Sequence, residues 1–297
     1  MLDLDEIDLK LVHALQIDGR ESFRGIADAL GVSERMISRR YARLRSRLML
    51  RVVGTTDAHR LDQLDWFVRI RTTNHTANQV AAALAAHKDT SWVNTLSGTP
   101  AVTCILRTAS SAGGEIAPVL TQLGQSIHVR EVTAQCLLAP VAGVGGWPGR
   151  ISSLTPAEEL ALSHNLEEGS PSGRRITLSD VDSLLISALA EDGRSSISRL
   201  SLTTNVPEST VRRRIADLTA ERILRFEVDI DARLYGRSLE AICWIEMEPH
   251  GIGDVSKALA THPQVAFAST ATGMSAVIAI LELAGPRELH DYLSQSL

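Results

Sequence analysis

Apolar residues recur at helical spacing three times in the first fifty residues. Ile7, Leu11, Ala14 and Leu15 share one face of a first helix, which Asp18-Gly19-Arg20 stops with Gly as C-cap. A second helix over Ser22–Leu30 carries Ile26 and Leu30 inward. Gly31 makes a turn, and Ser33-Glu34 opens a third helix with Ser as N-cap and an acid in the first turn. That helix buries Met36, Ile37, Tyr41 and Leu44 and presents Arg35, Ser38, Arg39 and Arg43 on its other face. Small Ala27, the turn at Gly31 and apolar Ile37 let two helices cross steeply, which is helix-turn-helix packing. The pattern then alternates: strand Trp66–Thr72, helix Ala77–His87, strand Ser91–Leu96, strand Ala101–Arg107, helix Glu115–Gly124 and strand Ile127–Leu138. This βαββαβ order is a ferredoxin-like split unit.

The chain repeats itself. Leu4–Arg51 aligns without gaps on Leu178–Arg225, with 17 of 48 pairs identical, among them Asp8/Asp182, Asp18-Gly19-Arg20/Asp192-Gly193-Arg194 and Arg39-Arg40/Arg213-Arg214. A gapless match of that length marks two related halves in tandem. Ser201, Asn205 and Val211 take the places of Ala27, Gly31 and Ile37, so the second turn keeps its geometry. The second half continues with strand Leu239–Glu248, helix Ile252–His262, strands Val265–Thr270 and Ser275–Leu283, and helix Pro286–Leu293. A counterpart of strand Ile127–Leu138 is missing there: either the sequence is truncated, or an edge of the second sheet is left open or filled by another segment. Gly-, Pro- and Ser-rich GVGGWPG and GSPSGRR mark a linker, and Thr155-Pro156-Ala157-Glu158 between them starts a short helix over Ala157–Leu166. The predicted fold class is α+β: two winged-helix-like, helix-turn-helix domains (1–53 and 177–227), each followed by a ferredoxin-like domain (60–140 and 236–297), with a linker over 141–176. The second ferredoxin-like domain is incomplete.

A net charge of −5 hides a segregation. Between Arg20 and Arg60 ten arginines face four acids, and between Arg194 and Arg237 nine face six, so cationic surface gathers at both helix-turn-helix units. Cys104, Cys136 and Cys243 are widely spaced in apolar runs and read as small buried hydrophobes. No metal-ligand spacing, Gly-rich phosphate loop or nucleophile motif appears, so no metal site, cofactor or catalytic residue is expected and the chain reads as no enzyme. The acidic start MLDLDEIDLK is no signal peptide and no apolar run spans a membrane, which gives a cytoplasmic protein as the expectation.

Leu4–Arg40 and its second copy Leu178–Leu218, followed by the ferredoxin-like order, resemble the Lrp/AsnC family of transcription regulators. The resemblance implies binding to double-stranded DNA by two recognition helices. The candidate contacts are Arg35, Ser38, Arg39 and Arg43, then Ser209, Thr210, Arg212 and Arg213. Because SERMISRR and PESTVRRR differ, the two half-sites are expected to differ. The resemblance also implies sheet-mediated pairing of the halves as an intrachain pseudo-dimer, further homo-oligomerisation, and a small-molecule effector near the turns carrying Gly98, Thr99, Gly273 and Met274. An acid often follows that Gly in the family; here Ala101 and Ala276 stand at the position. Enzymes that decarboxylate haem precursors share the two-domain fold, and a tetrapyrrole-carboxylate enzyme is the alternative. The nine histidines are scattered, however, and His87 and His262 close helices, where they suit the helix dipole.

Overall fold

The structure, a computed structural model, describes residues 4–47, 49–73, 75–110, 121–122, 124–143, 151–163 and 178–295. The first half runs α1 (Glu6–Ile17), α2 (Phe23–Leu30), α3 (Glu34–Ser46), β1 (Leu50–Thr56), β2 (Gln63–Thr72), α4 (Ala77–Ala85), β3 (Thr90–Leu96), β4 (Ala101–Ala109) and β5 (Val129–Ala142). The linker carries α5 (Pro156–Ser163). The second half runs α6 (Asp180–Glu191), α7 (Ile197–Thr204), α8 (Glu208–Ala220), β6 (Leu224–Ile230), β7 (Leu239–Ile245), α9 (Ile252–Thr261), β8 (Val265–Ala271), β9 (Val277–Leu283) and α10 (Pro286–Gln295). The helix predicted over Glu115–Gly124 lies largely outside the described residues.

Each three-helix head closes on a buried apolar stripe: Leu11, Leu15, Ile26, Ile37 and Leu44 in the first, Leu185, Leu189, Leu200, Val211 and Leu218 in the second. The turn between the second and third helices is left-handed in both heads, at Gly31 (φ 65°) and Asn205 (φ 54°), as the two sequences predict. The end of the first helix differs from expectation. Asp18 is the C-cap and is extended (φ −135°), and Gly19 is not left-handed. The glycine is needed there for space, since a Cβ would lie 2.7 Å from Phe226 Cβ and 2.9 Å from Val52 Cγ1.

The heads are not independent. The periodicity gave no sign of β1 and β6, which pair antiparallel from Leu50 opposite Ile230 to Thr56 opposite Leu224. Val228 and Ile230 of the second half complete the first head's core. Leu189 of the second head lies against Gly54 of β1, where a Cβ would stand 3.0 Å from Leu189 Cβ. Among its described residues the linker covers the first head: Ile151, Leu154 and Leu162 are buried in its core, Lys10 Nζ donates to Glu158 Oε1 (2.8 Å), and His13 Nδ1 accepts from the Ser153 and Leu154 amides. The matching face of the second head, lined by Leu184, Ala188 and Leu200, is open among the described residues.

The strands of the two ferredoxin-like units form one seven-stranded sheet in the order β3-β4-β2-β5-β8-β9-β7. The first half supplies β3-β4-β2-β5, the ferredoxin-like order, and β5 is long enough to serve both halves. Its first part pairs with β2 as far as Cys136, and Leu137–Ala142 pairs with β8. Beyond β7, where β2 has β5, no strand stands among the described residues. Phe67 on β2 meets Trp244 on β7 edge-on at 6.1 Å, although three strands separate them in the sheet. The sheet therefore curls on itself, and Phe67, Leu137, Ala271 and Ile278 fill the space enclosed. Cys104 and Cys136 are buried and Cys243 half-buried; burial pushes the Cys104 thiol up to about 11, so it stays protonated and inert.

One electrostatic device is repeated in both heads. Asp8, almost fully buried, completes the capping box of α1 and accepts from Arg40 (2.8 Å) and Arg43 (2.5 Å) of α3. Asp182, fully buried in α6, accepts from Arg214 Nε (2.8 Å) and Nη2 (2.6 Å) of α8. Each tie fixes the third helix against the first. Burial pushes the Asp182 carboxyl up, but the hydrogen bonds from Arg214 and Ser179 outweigh it and hold it below the usual carboxylate range.

Two outcomes follow from this packing. Leu189→Ala leaves a cavity at the joint of the heads and lowers the unfolding free energy by about 3 kcal/mol, measured by urea denaturation. A carboxyl depressed in the folded state stabilises it above the unfolded pKa of about 3.9, and this contribution is lost as pH falls through the depressed value. Arg214→Leu removes the counter-charge, so acid unfolding followed by circular dichroism moves to higher pH by about one unit; an unchanged midpoint contradicts this account of the tie.

Candidate nucleic-acid interface

The third helix of each head is held by its buried face and its acid–arginine tie, which leaves the opposite face to solvent. On α3, Ser33 caps the N-terminus by accepting from the Met36 amide, while Ile37, Tyr41 and Leu44 are buried. Arg35, Ser38 and Arg39 are exposed, and neither arginine has an ion-pair partner among the described residues. Met36, predicted on the buried face, is only half-buried. On α8, Pro207 stands at the N-cap and offers no side-chain hydrogen bond; Val211, Ile215 and Leu218 are buried. Ser209, Arg212 and Arg213 are exposed and Thr210 is half-buried. Arg213 has no ion-pair partner among the described residues, and Arg212 pairs with Glu208 one turn back (3.0 Å).

The structure thus sorts the arginines that the sequence left mixed. Arg39 and Arg213 are equivalent in the repeat and both project free. Arg40 and Arg214 are equivalent and both are spent on the buried aspartates. Arg43 does not behave as a free member of the contact face, because its guanidinium is drawn to Asp8, a carboxylate with almost no access to water. Its counterpart in the second head is Asp217, which pairs with Arg214 at 3.4 Å. The two faces therefore differ in charge as well as in sequence.

The predicted effector residues lie on the β3–β4 and β8–β9 turns. Gly98 (φ 87°) and Gly273 (φ 95°) are left-handed there, and Thr99 and Met274 are exposed. The structure does not bring the two turns into one site. Pro100 bonds Thr72 at one end of β2. The other turn is tied to β5 near the opposite end, where the Cys136 amide donates to Thr272 Oγ1 (2.9 Å), Gln135 Nε2 donates to Thr272 O (2.8 Å), and Cys136 pairs with Trp66. Six strand residues separate them, about 20 Å. Sequence reasoning missed the group that lies between the curled halves: Arg69 stacks 4.9 Å over the Trp244 ring, and its Nε is buried without a hydrogen-bond partner. On β2, Arg69 lies on the face opposite Val68 and Ile70, and its aromatic partner is 175 residues away in the chain. His87 and His262 sit at helix ends as read, and His262 Nδ1 also meets Tyr292 Oη at 2.8 Å. Among the described residues, no group of three His, Cys, Asp or Glu side chains is arranged to hold a metal ion, and no helix is long and apolar enough to cross a membrane.

Known proteins resemble this chain in two ways. The AsnC-type helix-turn-helix domain matches twice, at residues 4–45 and 178–219. An uncharacterized HTH-type transcriptional regulator of Pyrococcus horikoshii is 30% identical over 128 residues, covering 43% of this chain and 81% of that protein. The HTH-type transcriptional regulator FL11 of the same organism is 25% identical over 120 residues, covering 40% and 80%. Among solved structures, the siroheme decarboxylase NirDL shares the fold over 98% of this chain and 85% of its own, with a TM-score of 0.63 and 12% identity. That likeness is one of fold, and it corrects an expectation: the reading of the chain as no enzyme does not stand, because a whole-length match in architecture is to an enzyme. The two matched domains and the 30% identity to a regulator place the chain in the Lrp/AsnC family of helix-turn-helix transcription regulators, with the family unit present twice in one polypeptide.

Proposed function

We propose that this chain is a sequence-specific DNA-binding regulator that acts in the cytoplasm as an intrachain pseudo-dimer, its two recognition helices reading two non-identical half-sites. One observation carries the reading: Arg39 and Arg213, identical in the repeat, are exposed and unpaired among the described residues on helices that Arg40 and Arg214 anchor to buried acids. Such a helix enters the major groove, with its free arginines on phosphates or guanine edges. Arg39 and Arg213 make the shared contact. Arg35 and Ser38 in one head, and Ser209, Thr210 and Arg212 in the other, make the contacts that differ. Arg43 supports α3 from Asp8 and adds charge at its flank. Homo-oligomerisation of the pseudo-dimer would add further half-sites.

A small-molecule effector belongs to the same proposal. Gly273, seated against Gln135 of the other half, and the exposed Met274 beside it are where a ligand at the joint would act; Gly98 and Thr99 form a separate surface. With Ala101 and Ala276 in place of acids, neither turn offers a carboxylate to an amino group.

A second reading is favoured by the whole-length fold match. A further NirDL structure holds an iron-uroporphyrin III analogue. Arg69, with its unpartnered Nε between the curled halves, is the cation here that would meet a carboxylate of such a ligand.

Arg39→Ala and Arg213→Ala, made separately, each weaken operator binding, and each flattens the dependence of log affinity on log salt by about one unit in a salt-titrated gel shift. Site selection returns an imperfect palindrome; a perfectly symmetric one contradicts the two-half-site reading. Calorimetric titration with the common amino acids gives no tight binding. Absorbance titration with an iron-bound tetrapyrrole carboxylate decides the second reading: a saturating spectral change lost in Arg69→Leu supports it, and an unchanged spectrum removes it.

A further inference from the structure

The Asp-Gly-Arg triplet occurs at the same place in both copies, at the end of the first helix of each head. Its three residues have three jobs. The aspartate turns the chain: Asp18 Oδ1 accepts from the Arg20 amide (2.8 Å), and Asp192 Oδ1 from the Arg194 amide (3.1 Å). The glycine lets the ribbon pass. A Cβ on Gly193 would stand 3.0 Å from Val52 O, the oxygen to which the Gly193 amide donates (2.8 Å), and a Cβ on Gly19 would strike Phe226 and Val52. The arginine crosses to the other head. Arg20 Nη1 donates to Gly193 O (2.5 Å) and Nη2 to Ser195 O (3.2 Å). Arg194 returns the grip, with Nη1 to Gly19 O (2.7 Å) and Nη2 to Glu21 O (2.9 Å). Each triplet therefore holds the carbonyls of the other.

Aromatic rings back both guanidinium groups. Arg20 lies 5.5 Å over Phe226, and Arg194 lies 4.6 Å over Phe23 and 5.4 Å over Tyr41. Arg45 of α3 adds a bridge to Asp192 (2.6 Å). Both crossing arginines are part-buried with their forks directed at backbone, so phosphate contact is not their task. Lysine cannot replace them, because a single ammonium does not reproduce a planar fork that spans two carbonyls.

We infer that Arg20 and Arg194 are positioning residues for DNA recognition: their reciprocal clasp, with the β1–β6 ribbon, sets the distance and phase between α3 and α8 and so selects the spacing of the operator half-sites. The inference rests on the DNA reading above. In the intact clasp one head cannot move to follow a displaced half-site. With the clasp opened, the ribbon and the partly exposed Arg45–Asp192 bridge are the joints that remain, and the heads can adjust to other spacings.

The experiment uses the full chain and a series of its selected operator with base pairs inserted between the half-sites. Five inserted base pairs rotate one half-site by half a turn and lower wild-type affinity by about a hundredfold, through loss of simultaneous engagement. In Arg20→Lys/Arg194→Lys the same insertion costs less than about tenfold. A variant with the wild-type spacing profile overturns the inference. Spin labels at Ser38→Cys and Ser209→Cys, in a Cys243→Ala background, read the clasp without DNA: one narrow distance distribution in the parent, a broadened one in the lysine variant. Identical distributions overturn the clasp even where DNA binds. A parent that ignores all operators at low salt but shows the broadening on substitution defeats the DNA reading and leaves the clasp standing.

Discussion

Neither three-helix head completes its own core, and the architecture depends on that shortfall. A domain of about fifty residues buries too small a fraction of its surface to be secure alone. Here the first head takes Val228 and Ile230 from β6, and Leu189 of the second rests on Gly54 of β1. The ribbon formed by Leu50–Thr56 and Leu224–Ile230 is thus core for both heads and also the link between them. Joining the copies in one polypeptide makes this exchange intramolecular, so it is independent of protein concentration.

The ferredoxin-like units use the same device at larger scale. β5 is shared, pairing with β2 along one part and with β8 along the other, so a four-stranded unit and a three-stranded one become one curled sheet. The aromatic and aliphatic side chains enclosed by the curl come from both halves, and Arg69 on Trp244 is a charge held among them. A ligand between the halves would have to act through this packing. A ligand at the Gly273 turn would act on Gln135 and hence directly on the shared strand. The molecule is asymmetric among the described residues: the linker helix α5 covers the first head, and the first sheet half alone has a fourth strand.

The third helix of each head is set by charges on its buried side. Asp8 and Asp182 are buried acids in capping boxes, and each claims arginine from the third helix. This division of labour makes an arginine-rich helix usable. Arginines bound to buried carboxylates orient it, while Arg35, Arg39 and Arg213 are exposed without an ion-pair partner among the described residues. The likeness of the whole chain to siroheme decarboxylase NirDL shows that this paired architecture also carries enzymatic chemistry. The fold alone does not assign the function.

Much of this was legible in the residues. Helix starts at Ser22 and Ser33, the left-handed turns at Gly31 and Asn205, and the order of the described strands and helices in both ferredoxin-like units rest on local signals: caps, turn chemistry and apolar period. The exposed positions of Arg35, Ser38, Arg39, Ser209, Arg212 and Arg213 also followed from helical phase. Hidden were β1 and β6, the double pairing of β5, the capture of Arg43 by Asp8, the separation of the two turns and the Arg20–Arg194 clasp. The sequence by itself therefore determined which segments become helices and strands and that they occur twice, because those choices are made by neighbours within a few residues. Tertiary structure alone decided which arginines remain free and how the copies interlock. Those contacts join residues up to about 180 positions apart, or select among chemically identical side chains, and neither leaves a period to read.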